Sequence, residues 1–330
     1  MSERMLDRII RGNFHFPAGL DRQFGADERT VLADQMSGSA AFEVANVAEY
    51  YYAGSDRELW EVDKHFPNLA PPFERMWLET VAPSRIVSDQ RGENAWQSPV
   101  RAWGVDCRSI RFDPDTVPYS QTHLAQLNGG TLARGWDGQP NEPGDDERGW
   151  TVGMMPFVQI EGEGIIGPWF TYVLVVRDDG TLYGPPSMIG TWMPDHNDTN
   201  ALSELIKPLL LAISFLHCKN VRVQEEESQL SRQERRRLER AGIEPVRFKT
   251  LDIAPMRQIL EYEGGAAAVG IQRALHICRG HFATYTEDKP LFGRHAGTFW
   301  VPAHVKGSVK EGIVGKDYRV LAPKATGGNA

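Results

Sequence analysis

The stretch W-F-T-Y-V-L-V-V-R-D-D-G-T-L-Y, Trp169 to Tyr183, decides the fold. Its first half, Trp169–Val176, is dense in β-branched and aromatic residues, which suit a pleated, buried surface. Asp179-Gly180 then supplies the residues of a tight hairpin turn. A second strand is expected just upstream, at Trp150–Ile160, with Gly162, Gly164 and Gly167 in the connection between the two. That connection lacks a Walker spacing and a following lysine, so it reads as a turn and not as a phosphate cradle. Further upstream, Val105–Phe112 alternates as a short strand. The Gly-, Pro-, Asn- and Asp-rich run from Asp113 to Asp146 has the composition of a long surface loop. The middle of the chain is therefore β-rich.

Helical patterns flank it. Downstream, A-L-S-E-L-I-K-P-L-L-L-A-I-S-F-L-H-C (Ala201–Cys218) follows Asp198 and Thr199, both good capping residues, and is apolar around most of its circumference. A buried central helix near 199–218 is expected, with a kink at Pro208. His217 and Cys218 end it, ahead of a short strand at Asn220–Gln224. His196, in P-D-H-N-D, reads as part of the loop leading into the helix cap. Upstream, Thr30–Tyr52 has near-helical apolar spacing interrupted by Gly38. F-E-R-M-W-L-E-T-V (Phe73–Val81) reads as an amphipathic helix entered after Pro71-Pro72. Leu230–Ala241 reads as a polar helix stopped by Gly242. Its five arginines alternate with Glu234 and Glu239, the mark of a solvated face more than of a nucleic-acid contact.

These patterns amount to an α+β fold. Residues 1–263 form a mixed helical and antiparallel β body, and residues 264–330 a small basic β module, with Gly264-Gly265 as the hinge. A chain of 330 residues is long enough for that division. The net charge of −8 argues against a general nucleic-acid binder, but the charge is sorted. From Gly264 to Ala330 there are nine Lys or Arg against four Asp or Glu, a surplus of +5 that leaves −13 on the rest. That block suits a phosphate-bearing ligand, and equally a solvated surface. Cys107, Cys218 and Cys278 are odd in number and far apart, which excludes a disulfide framework and fits a reducing compartment. The opening M-S-E-R-M-L-D-R-I-I-R-G lacks the apolar core of a secretory signal, and no run of about 18 apolar residues exists to span a membrane. A cytoplasmic protein with no membrane partner is expected.

The candidate chemistry lies near the end. Four of the nine histidines, His276, His281, His295 and His304, fall within 29 residues. Histidine titrates near neutrality, so a cluster can move protons or hold a metal. In T-F-W-V-P-A-H-V-K (Thr298–Lys306), alternation gives one apolar face of Phe299, Val301, Ala303 and Val305. The other face carries Thr298, Trp300, Pro302, His304 and Lys306. Pro302 marks an edge or bulge, so this second face is expected to be the accessible one. In Leu275–Tyr285, Arg279, His281 and Tyr285 share one parity, and Gly280 is suited to a bulge that re-aims His281. The loop Thr286–Gly297 is long enough for the two strands to pair antiparallel, bringing Arg279 and His281 within cross-strand reach of His304 and Lys306.

Three readings compete. In one, His281 and His304 act as general acid and base, Arg279 and Lys306 hold a phosphoryl oxyanion, and Tyr285 positions it, giving metal-free cleavage of RNA. In another, Cys278, His281, His295 and His304 ligate zinc, although no paired C-x-x-C or H-E-x-x-H supports the spacing. In the third the histidines are structural, on a non-enzymatic module that binds nucleic acid or protein as an adaptor or regulator. Each histidine taken singly reads as structural; only the clustering lifts the functional reading. Cleavage ranks above zinc because cations beside a metal repel it unless an anionic substrate intervenes. The expected function is thus a ribonuclease-like hydrolase of the toxin or host–phage conflict type.

H-I-C-R-G-H-F (His276–Phe282) and W-V-P-A-H-V-K-G (Trp300–Gly307) resemble the ends of many uncharacterised bacterial and phage-encoded proteins. In those, a strand with R-G-H and an aromatic precedes one with W-x-P-x-x-[RK]-G. The resemblance covers about the last fifth of the chain and implies a C-terminal β module associated with mobile elements, with no activity attached. Phe282 stands where Trp is frequent, and Lys306 where Arg is, so neither ring nor cation is lost.

Overall fold

A computed structural model describes residues 4–17, 26–53, 66–82, 100–122, 143–168, 170–184, 186–189, 196–225, 247–252, 274–278, 281–291, 293–301, 304–306 and 308–313, together with 232, 233, 236 and 240. The fold is α+β. In chain order come α1 (Met5–Ile10), α2 (Ala26–Ser37), β1 (Ala40–Glu43), α3 (Ala45–Ala53), β2 (Arg75–Val81) and β3 (Val100–Phe112). They are followed by β4 (Gly149–Ile160), β5 (Gly164–Ile166), β6 (Thr171–Arg177), β7 (Ser187–Ile189), α4 (His196–Leu216), β8 (Arg222–Glu225) and β9 (Phe248–Asp252). The closing elements are β10 (Ala274–Cys278), β11 (His281–Tyr285), β12 (Gly297–Val301), β13 (His304–Lys306) and β14 (Ser308–Ile313).

β1 to β9 form one sheet in the order β7-β6-β4-β3-β2-β1-β9-β8, with β5 paired to β4. From β2 to β7 it is antiparallel, as the hairpin signals imply, while β1 runs parallel to both β2 and β9. Helices cover both faces. On one, Ile206, Leu209, Leu210, Ile213 and Phe215 of α4 and Val47 and Tyr51 of α3 pack on Met76, Leu78, Trp103, Val105, Val152 and Met154. On the other, Met5, Leu6 and Ile9 of α1 and Met36 of α2 pack on Ala41, Trp77 and Phe157. Gly104 sits directly beneath the Trp77 indole, leaving no room for a side chain. α4 runs from residue 196 to 216 with Pro208 inside it, so His196, expected in the lead-in loop, and Asp198 and Thr199, expected as caps, belong to its first turn. No helix among the described residues is long and apolar enough to cross a membrane.

Two further expectations need correction. Phe73–Val81 is not a helix: Arg75–Val81 is the inner strand β2, paired antiparallel to β3 and parallel to β1. Residues 76–80 are all buried, because a strand covered on both faces shows no alternation, and its apolar run then mimics helical spacing. Thr30–Tyr52 is not one interrupted helix either, since β1 lies between α2 and α3 just beyond Gly38. Within the Arg-rich segment, Arg232, Gln233, Arg236 and Arg240 are helical and exposed, as a solvated face requires.

Candidate functional site

The histidine-bearing end contributes two small sheets, one of β11 and β12 and one in the order β13-β10-β14. β11 pairs with β12, setting His281 opposite Val301, Phe282 opposite Trp300, Thr284 opposite Thr298 and Tyr285 opposite Gly297. β10 pairs with β13 in the same register, with Cys278 opposite His304 and His276 opposite Lys306. β14 lies parallel on the far side of β10. Facing threonine hydroxyls of Thr284 and Thr298, 3.0 Å apart, tie the rungs nearest the loop. The loop itself is closed by bridges between Thr286 and Lys289 and between Leu291 and His295. Gly297, at φ 121°, adopts a backbone that a side chain would strain.

One face of this hairpin is anchored in the body. Trp300 is 1% exposed and inserts between Tyr50, Phe215 and Phe282, with ring centroids 4.9–5.1 Å away. The Asn220 side chain grips its backbone twice. Its Nδ2 donates to the Trp300 carbonyl at 2.8 Å, and its Oδ1 accepts from the Trp300 N–H at 2.9 Å. The Lys219 N–H donates to the Thr298 carbonyl at 2.9 Å. The strand parity expected to be accessible is thus the one that docks at Trp300. The body supplies what holds that face: the Asn220 side chain and the aromatic socket of Tyr50 and Phe215.

The opposite face carries a small apolar cluster of Phe299 and Val301, flanked by Ala283, Tyr285 and Leu291. His281 is exposed on this side and Tyr285 half-buried, its ring edge-on to Phe299 at 5.8 Å. His295 is exposed, lies 6.4 Å from the Phe299 ring, and accepts from Arg294 Nε at 3.2 Å. Lys289 and Arg294 are exposed in the connecting loop.

The sequence-derived residues are thus divided between two small sheets. His281 and Tyr285 belong to β11, and His304 and Lys306 to β13. Arg279 lies outside the described residues. The register does not set the two imidazole-bearing positions opposite one another. His304 takes the rung of Cys278 in one sheet, and His281 that of Val301 in the other. Of the residues considered for zinc, Cys278 and His304 share that rung, while His281 and His295 sit in β11 and in the loop. Among the described residues no three His, Cys, Asp or Glu side chains converge as a metal site would require.

Among the described residues, four other chemistry-bearing groups are engaged in the packing of the body. His217 Nε2 lies 2.7 Å from the Ala70 carbonyl, fixing the end of α4 to the segment before β2. Burial drives the Cys107 thiol well above its ordinary range and pushes Cys218 up to about 12, the reverse of a nucleophile's requirement. Asp106 is 1% exposed and ion-paired to Arg108 at 2.8 Å. Burial nonetheless raises its pKa, the charge and hydrogen bond of Arg108 only partly offsetting it. Two residues that sequence reasoning passed over organise the molecule. Asn220, in K-N-V, carried no signal, because its partners lie 80 residues away. Glu79 was hidden in a segment read as a helix. No known protein family matches the chain, and neither a curated protein nor a solved structure is found similar to it.

Proposed function

We propose that the C-terminal hairpin binds single-stranded RNA, with binding rather than cleavage as its primary act. The observation that carries this is the one-sided anchoring of the hairpin. Trp300 and Asn220 hold one face in the body, and the other presents His281, Tyr285 and His295, with Lys289 and Arg294 in the adjoining loop. Imidazole and phenol rings stack on bases, and cations follow phosphates. The surplus of positive charge on residues 264–330 supports the same ligand.

Cleavage is the second reading, favoured by the closeness in sequence of His281, Tyr285, His304 and Lys306, with Arg279 between β10 and β11. In it, one imidazole takes the 2′-hydroxyl proton and the other protonates the leaving oxygen, while Arg279 and Lys306 hold the phosphate. The pairing of His281 with Val301 and of His304 with Cys278, in separate sheets, weighs toward binding.

Fluorescence anisotropy of the full chain with labelled single-stranded RNA decides between them. Two or three phosphate contacts weaken binding about tenfold between 50 and 200 mM salt. Tyr285→Ala weakens it at every salt concentration by removing a stacking surface. Absence of salt-sensitive binding overturns the proposal. RNA fragments formed in the presence of a chelator, and lost in His304→Ala, would install the cleavage reading instead.

A further inference from the structure

Glu79 is 5% exposed, in the sheet face beneath α1. Its Oε2 accepts from Trp77 Nε1 at 2.7 Å and from the Leu6 backbone N–H at 3.2 Å, and Arg4 Nη1 lies 3.8 Å from Oε1. The helix it receives has six residues, too short to persist alone, so its place depends on packing and on this carboxyl. Met5, Leu6, Ile9 and Ile10 of α1 join Trp77 and Phe157 in one apolar cluster, and Arg4 also lies over the Phe248 ring at 4.9 Å.

We propose that Glu79 is a protonation-controlled latch that holds the N-terminal helix on the sheet and loosens it as the carboxyl ionises. The surroundings define the sign. From α1, Arg4 favours the ionised form and Asp7 opposes it. Glu43, in register with Glu79 on β1, turns its carboxylate to the Ala45 amide. On β3, Gly104 is opposite Glu79, and the next polar group beyond it, Asp106, is engaged by Arg108. Burial outweighs the Trp77 and Leu6 hydrogen bonds and the Arg4 charge, and pushes Glu79 up to about 7. With α1 lifted, the carboxyl meets water and returns to its ordinary value of 4.5. A group whose pKa is raised in the docked state favours docking at low pH, and that advantage disappears as pH rises through the docked value. From pH 5.5 to 8.5 the docking equilibrium falls roughly thirtyfold.

Hydrogen–deuterium exchange of the α1 amides on the full chain, corrected for the intrinsic pH dependence of exchange, reads this directly. Protection of α1 falls roughly thirtyfold across that range, by the linkage just given, while β4 amides hold theirs. Glu79→Gln, neutral at every pH and able to accept both N–H groups, abolishes the dependence. Arg4→Gln moves the midpoint to higher pH and Asp7→Asn to lower, a pair of opposite shifts that a purely packing role does not produce. These two variants decide the matter where Glu79→Gln fails to fold. Protection of α1 that is flat with pH in the natural chain, or lost together with that of β4, overturns the latch, as does an unchanged slope in Glu79→Gln.

Discussion

Gly104 is one place where packing leaves no room for a single added atom. It stands opposite Glu79 in the β2–β3 ladder and lies flat under the six-membered ring of Trp77, where an added Cβ would overlap Cζ2. Trp77 is fully buried and held by its hydrogen bond to Glu79, so the ring cannot retreat. Gly104→Ala is expected to destabilise the protein by about 2–3 kcal/mol through overpacking, measured as a lower denaturation midpoint at unchanged slope. Gly149, whose added Cβ would meet the Val176 carbonyl and the Phe112 ring, is constrained in a similar way. Neither glycine stood out in the sequence, because each is defined by a neighbour on another strand. Of the glycines in the β4–β6 connection, Gly162 was legible as a turn, whereas Gly164 opens strand β5 and Gly167 is confined by Pro156 and Phe157 of β4.

At the scale of elements, segments with one dominant environment were readable and those with two were not. The all-round apolar run of α4 announced a buried helix, and the hairpin signal at Asp179-Gly180 announced the bend after β6, closed by the Gly180 N–H to the Arg177 carbonyl. β2 failed because covering both faces erases the period of two. The C-terminal hairpin was legible in its pairing, yet its docked face was not, because both parities carry large apolar residues. What holds the docked face lies outside the hairpin altogether, in the Asn220 clamp and the Tyr50 and Phe215 rings. Asn220→Ala leaves the buried N–H and C=O of Trp300 without these partners and is expected to cost about 2–4 kcal/mol. Exchange of the β11 and β12 amides should rise more than that of β4, and equal changes in both would show that Asn220 serves the body rather than the hairpin.

Across the whole molecule, Trp300 belongs to the same apolar cluster as α4, α3 and the sheet, although it lies far along the chain. Hairpin and body are therefore expected to unfold in one cooperative step. Near-ultraviolet circular dichroism and β11–β12 amide exchange should report the same midpoint, and two separated transitions would refute the coupling. Charge at this scale was readable from sequence, since it needs only counting. Which positive groups share a surface was not, because that depends on register. The Trp300 socket has one further consequence, for synthesis. Phe215 and Tyr50 leave the ribosome well before the indole that completes them, and the Asn220 clamp waits 80 residues for its partner. At bacterial or eukaryotic elongation rates that interval is roughly 4–16 s. During it the nascent chain displays an unfilled aromatic notch, open to a chaperone or to a neighbouring polysome's product.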